Sequence, residues 1–263
     1  MIDPVLLLQA IIQGILEWLP VSSSGFVSLI SLILANKPLS NAIDIALAMH
    51  LGSGLAALLL MRTDVKDHIL YLVRRGSKEK TYLNPYVYVI GLGISLVIAF
   101  LIYKVFILRV KDLPLAFIVI GLSLIITSIV TYKRGAPSGT GRISDLDLLI
   151  LFILQGLAVI PGISRSGVVL AYLGFRRVKP EIAFRTSLLI GIPALLIAGF
   201  YGLLGIAKEV NVFSLLVIEA VVFVVSLFTA YYLLNYLRRI RTWLFTLLIG
   251  LLLLVSSIIE IVH

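Results

Sequence analysis

Apolar runs of bilayer length dominate this chain. A helix crosses the roughly 30 Å hydrocarbon core of a membrane with about 20 apolar residues. Ala42–Met61, Tyr86–Leu108, Leu113–Tyr132, Ala183–Ile206, Val212–Tyr236 and Trp243–Val262 each have that length and character, so six transmembrane helices are expected. Composition removes the soluble alternative. Of the 263 residues, 60% are hydrophobic and only 13% charged, against about 25% charged in a soluble domain. Such a chain cannot cover a water-facing surface with polar groups, and it is too apolar to stay disordered. Cysteine is absent, which excludes disulfides, thiolate metal sites and cysteine nucleophiles. The start, Met1-Ile2-Asp3-Pro4, lacks the basic n-region of a signal peptide, so the first apolar run is expected to belong to the mature protein.

Two further apolar regions behave differently. Val5–Ala35 is interrupted by Ser22-Ser23-Ser24-Gly25, and Leu146–Phe175 by Ser164-Arg165-Ser166-Gly167. Each half is too short to span but suits a re-entrant segment. Polar backbone at membrane depth persists only where protein or a water-filled cavity shields it, which makes both clusters candidate sites. A shift of 142 residues superposes Gln13-Gly14 on Gln155-Gly156, and Ser22, Ser24 and Gly25 on Ser164, Ser166 and Gly167. The expected architecture is therefore an all-α integral membrane protein, a single membrane domain over 1–263. Each half, 1–132 and 146–263, contributes one re-entrant helix pair and three spans. Three spans is an odd number, so the halves insert with opposite orientation, an inverted repeat of the kind that places a shared site near the midplane.

Loop charge tests this layout. If both hairpins return to the side they entered, the segments 62–85, 133–145, 176–185 and 237–242 share one face and hold 16 of the 22 Lys and Arg residues. The positive-inside rule then puts the basic loops in the cytoplasm and both termini outside it. The net charge of +9 is accounted for in this way, without a nucleic-acid partner.

Several residues could carry chemistry. Gln13 and Glu17 share a helix face, being four residues apart, and an ionisable group at membrane depth is a functional candidate; the plainer reading of Glu17 is an interfacial acid beside Trp18. Ser22, Ser23 and Ser24 open a half-helix whose backbone N–H groups favour an anion such as phosphate, although such serines also serve as N-caps. Arg165 needs a counter-charge, and its guanidinium fork suits a phosphate. The competing structural reading is an internal ion pair with Glu17, and both arrangements can hold in alternate states. His50 is either a proton carrier or a packed, hydrogen-bonded histidine. Asp44 and Arg185 lie near span starts, and Glu219, well inside a span, is read as a structural or dimer-interface residue.

With these residues in view, the chain resembles the undecaprenyl-diphosphate phosphatase family, the membrane enzymes also known from bacitracin resistance. Gln13-Gly14-Ile15-Leu16-Glu17-Trp18-Leu19-Pro20-Val21-Ser22-Ser23-Ser24-Gly25 is similar to the family's (E/Q)xxxE region and serine motif, and Pro161-Gly162-Ile163-Ser164-Arg165-Ser166-Gly167 to its PGxSRS motif. His50–Ser53 and Arg185–Pro193 add to the likeness. The resemblance implies hydrolysis of a C55-type polyprenyl diphosphate to the monophosphate carrier at a site open to the extracytoplasmic side of the plasma membrane, in a commonly dimeric protein. It also implies a divalent cation, Mg²⁺ or Ca²⁺, held by Gln13 and Glu17. Catalytic roles fall to Glu17, Ser22, Ser23, Ser24 and Arg165, and phosphate binding to Ser164, Arg165, Ser166 and Gly167. Two positions depart from the pattern. Phe26 stands where the family has a proposed catalytic histidine, and Val169 where it has threonine. Without that imidazole, either a serine activated by Glu17 acts, or His50 reaches in, or this member is slow or inactive as a phosphatase; the alternative reading, to which inverted repeats also point, is a polyprenyl-phosphate transporter or flippase.

Overall fold

Helix boundaries follow the polar punctuation of the chain. We describe a computed structural model over residues 3–74, 82–105, 109–110, 112–132, 142–207, 209–236 and 243–262. Its elements are α-helices: α1 (Pro4–Leu16), α2 (Ser23–Leu34), α3 (Leu39–Ala48), α4 (His50–Leu60), α5 (Arg62–Val73), α6 (Pro85–Val105), α7 (Leu113–Tyr132), α8 (Asp145–Leu157), α9 (Arg165–Phe175), α10 (Pro180–Ile206), α11 (Val212–Tyr236) and α12 (Trp243–Val262). Asp3 caps α1 through Val5 N–H, with Pro4 at the first helical position, where a missing N–H costs nothing. Ser144 and Asp147 form a reciprocal capping box at the start of α8.

Among the described residues, five helical stretches are long and apolar enough to cross a membrane: Leu39–Leu60, Pro85–Val105, Leu113–Tyr132, Pro180–Ile206 and Val212–Leu234. The first joins α3 and α4 through Met49. α12 occupies the sixth expected span, but its described apolar stretch, Thr246–Ile259, is shorter than those five. One expectation needs correcting. The basic segment 62–85 is not merely a loop, because α5 occupies Arg62–Val73. Of the basic residues expected on that face, Arg75, Lys78, Lys80, Lys133, Arg134, Arg238, Arg239 and Arg241 lie outside the described residues.

The two interrupted regions form helix–turn–helix pairs, α1–α2 and α8–α9. Their arms have 13, 12, 13 and 11 residues, about 16–20 Å at 1.5 Å per residue, well short of a bilayer core. Packing crosses between the halves of the chain: α1 lies against α11 and α8 against α6, while α3 and α4 pack on α10 and α7 on α12. Where α7 meets α12, a Cβ on Gly121 would lie 3.0 Å from Gly250 O, and one on Gly250 2.9 Å from Gly121 O. Small residues let membrane helices approach this closely, and dispersion then holds them together. In α10, Pro193 cannot bond the carbonyl four residues back. That carbonyl, Leu189 O, accepts the Tyr88 hydroxyl at 2.7 Å instead, as a polar group away from water requires.

Candidate active site

The site grows from two matched caps. Ser22 Oγ accepts Gly25 N–H at 3.2 Å at the start of α2, and Ser164 Oγ accepts Gly167 N–H at 3.0 Å at the start of α9. The second serine of each motif lies 3.3 Å from the first, Ser24 beside Ser22 and Ser166 beside Ser164. Each tip also holds the other's backbone. Ser22 Oγ accepts Gly162 N–H at 3.0 Å, and the Ser166 hydroxyl donates to Leu19 O at 2.7 Å. Thr127 of α7 steadies the second tip, donating to Gly162 O at 2.8 Å and accepting Ser164 N–H at 3.0 Å. Two glycines make the approach possible. A Cβ on Gly25 would fall 2.9 Å from Gly162 N, and Gly162 itself has φ of +103°, a left-handed conformation that favours glycine.

At this junction Glu17, just past the end of α1, meets Arg165, the first residue of α9. Arg165 Nη2 donates to Glu17 Oε1 at 2.8 Å, and the two side chains are 11% and 3% exposed. Glu17 Oε2 accepts Ser23 Oγ at 2.7 Å and Gln13 Nε2 at 2.8 Å. Arg165 Nη1 donates to Ser187 O at 3.0 Å, and the guanidinium lies 6.0 Å from the Trp18 ring. Gly191 of α10 gives the guanidinium its place, since any Cβ there would collide with Nη1. The structure thus brings together Gln13, Glu17, Ser22, Ser23, Ser24, Ser164, Arg165 and Ser166. All but Gln13 line one small cavity.

His50 lies beside this cluster. Its Nδ1 sits 2.6 Å from Ala46 O and so carries a proton, while Nε2 faces Glu17 Oε2 at 3.6 Å. Other sequence candidates serve the scaffold. Glu219 Oε2 accepts Gly52 N–H at 2.7 Å, linking α11 to α4. Asp44 accepts the Tyr103 hydroxyl at 2.9 Å, and Arg185 pairs with Asp64 of α5 at 2.8 Å. Phe26 packs on an apolar cluster that includes Leu29 and Ile120 and does not line the serine cavity. Val169 is fully buried in the cluster around Phe152 and Phe184.

Two features escaped the sequence reading. Trp18 Nε1 donates to Ser226 O at 2.9 Å, and Ser226 meets Ser53 at 2.9 Å, so α11 fixes the orientation of the Glu17 turn. Thr127 carried no motif to mark it. An apolar cavity of about 200 Å³ reaches Arg165 and His50 from between α3, α6, α8 and α10, and shares Arg165 and Ala158 with the serine cavity. Phe100 and Ile197 on its wall are also exposed on the outside of the helix bundle.

A family model described as bacitracin resistance protein BacA matches residues 6–254. The chain is also similar to curated proteins named undecaprenyl-diphosphatase. The one from Methanococcoides burtonii is 34% identical over 218 residues, covering 77% of this chain and 79% of that protein. The one from Saccharolobus solfataricus is 32% identical over 261 residues, 95% and 94% of the two chains. The one from Sulfurisphaera tokodaii is 30% identical over 267 residues, 97% of each.

Proposed function

This chain belongs to the bacitracin resistance protein BacA family, and we propose that it does what its relatives are named for, removing the terminal phosphate of undecaprenyl diphosphate. The observation that carries this reading is the buried Glu17–Arg165 pair set between two serine-capped helix starts. Helix N-termini and a guanidinium together bind phosphate oxygens. The neighbouring apolar cavity gives a prenyl chain an environment in which it need not meet water.

In the reaction we infer, the terminal phosphate enters the serine cavity with its oxygens on Arg165 and the Ser164–Ser166 turn. Ser23 Oγ attacks phosphorus while its proton passes to Glu17 Oε2, 2.7 Å away. The bond to the bridging oxygen breaks, and the lipid monophosphate leaves with the electron pair. Water then attacks the phosphoserine and gives a proton to Glu17 Oε2, while the Oγ–P bond breaks and Ser23 Oγ takes a proton back from Glu17, so that inorganic phosphate departs and Ser23 is restored. His50 Nε2 is placed to take the proton on from Glu17. Arg165 holds charge that builds on the phosphoryl oxygens, the kind of preorganised stabilisation that usually dominates such reactions.

We propose that a divalent cation sits against one amide and one carboxylate here; among the described residues no group of three His, Asp or Glu gathers around a metal position. Gln13 Oε1 is buried with no hydrogen-bond partner among the described residues, although its amide nitrogen is bound to Glu17. Gln13 and Glu17 would hold the ion, which when bound neutralises diphosphate charge.

We read α1–α2 and α8–α9 as re-entrant pairs entering from opposite faces, with six spans around them. The matched caps and crossed packing support an inverted repeat over 1–132 and 146–263. On this reading the basic loops are cytoplasmic, both termini lie outside, and the site opens outward. Phosphate release from undecaprenyl diphosphate by the purified protein, lost in Ser23→Ala, tests the activity. Binding of the lipid with no release in the unaltered protein would favour transport instead.

A further inference from the structure

The repeat that gives Gln13 also gives Gln155, but their surroundings differ. Gln13 donates to Glu17, four residues on. Four residues after Gln155 stands Val159, so the second glutamine has lost its acid. Gln155 is 5% exposed, and its Oε1 is buried without a partner among the described residues. Its Nε2 reaches only Ser95 Oγ, at 3.5 Å, the limit of a hydrogen bond. A buried amide this poorly satisfied is costly in a membrane. Close packing of α8 on α6 keeps it there, since a Cβ on the adjacent Gly156 would lie 2.9 Å from Ser95 O.

Gln155 and Ser95 are also polar points on the wall of the apolar cavity, as is Arg165. Arg165 spends Nη2 on Glu17 and Nη1 on Ser187 O, while its Nε is buried without a partner among the described residues. The guanidinium therefore belongs to two cavities. One holds the serines, and the other would hold the lipid.

We propose that Gln155, with Ser95 and Arg165 Nε, forms the subsite for the phosphate that remains on the prenyl chain. The ligand is a phosphomonoester joined to an apolar tail. Because a hydroxyl both donates and accepts, Ser95 tolerates either orientation of the Gln155 amide. A phosphate selects the one that turns the NH₂ into the cavity, with Ser95 donating to Oε1. Gln155 is then a binding residue for substrate and product, and it takes no part in proton transfer. This inference rests on the phosphatase reading for its place in the reaction, but it can be tested without turnover.

The test is direct binding of farnesyl monophosphate and of inorganic phosphate to the purified full-length chain and to Gln155→Leu and Gln155→Glu. Farnesyl monophosphate binding should weaken about tenfold or more in Gln155→Leu. Gln155→Glu should weaken it at least as much, although the side chain is nearly isosteric and still accepts from Ser95. Inorganic phosphate, free to sit among the serines, should bind as before. In phosphate-release assays KM should rise by a larger factor than kcat falls. Unaltered farnesyl monophosphate binding in both variants would overturn the proposal. So would equal loss of both ligands, which would mean that Arg165 had moved. If the unaltered chain binds the monophosphate but never releases phosphate from a diphosphate, the phosphatase reading fails and the subsite stands.

Discussion

Removing the Arg165 guanidinium should do two separable things. Glu17, whose side chain is 3% exposed beside Arg165, should in Arg165→Ala keep its bonds from Ser23 and Gln13 but lose the guanidinium as counter-charge. Breaking a buried pair from one side costs about 3–5 kcal/mol, because the remaining ion is neither solvated nor neutralised. Adding Glu17→Gln removes that ion, so the double variant should recover most of the lost stability. Activity should follow a different rule. Loss of one preorganised donor costs about 10²–10³ in kcat, and Glu17→Gln removes the proton acceptor as well. The double variant should therefore be stable and inactive. Thermal unfolding in detergent and phosphate release from undecaprenyl diphosphate read the two quantities on the same samples. Recovery of activity together with stability would refute the reasoning, since Arg165 would then be only a counter-ion. A single variant as stable as the unaltered chain would refute the buried-pair argument itself.

Three further outcomes follow from the same geometry. Gly25→Ala puts a methyl 2.9 Å from Gly162 N, against backbone that cannot turn aside, so phosphate release should fall at least tenfold and the unfolding temperature should drop; near-normal activity would mean that the tips are not held in contact. Phe26→His should leave kcat within about threefold, because position 26 packs away from the serine cavity, and a tenfold rise would show that an imidazole there reaches the chemistry. Chelation should slow phosphate release, with Gln13→Leu requiring more Mg²⁺ or Ca²⁺ for half-maximal rate; a cation dependence identical in both proteins would remove Gln13 from the site.

How much of this was legible beforehand depended on distance along the chain. α7, α11 and α12 coincide with their apolar runs because each run ends in polar or charged residues. The start of α10 was placed three residues late, since Pro180 and Glu181 read as loop although they make a good first helical turn. α5 carries Arg62, Asp64, Lys66 and Asp67 among its apolar residues, so it gave no span signal. Its link to α10 through Asp64 and Arg185 is a tertiary fact. The serine clusters and Arg165 announced themselves as polar groups in apolar surroundings. Ser22, however, turned out to clamp Gly162, while Ser23 is the one bonded to Glu17. Three adjacent hydroxyls look alike until the helix start fixes which way each points. Trp18, Thr127 and Ser226 matter through partners far off in sequence, beyond the reach of any local pattern.

Glu17 and Arg165 are separated by 148 positions. A ribosome adding roughly 5–20 residues per second needs about 7–30 s to make that length. For that interval the newly inserted first half contains an acid whose cation has not yet been synthesised. Biogenesis must therefore carry Glu17 either as the neutral acid or in a wet, shielded environment, and the finished pair can form only once the second half has entered the bilayer.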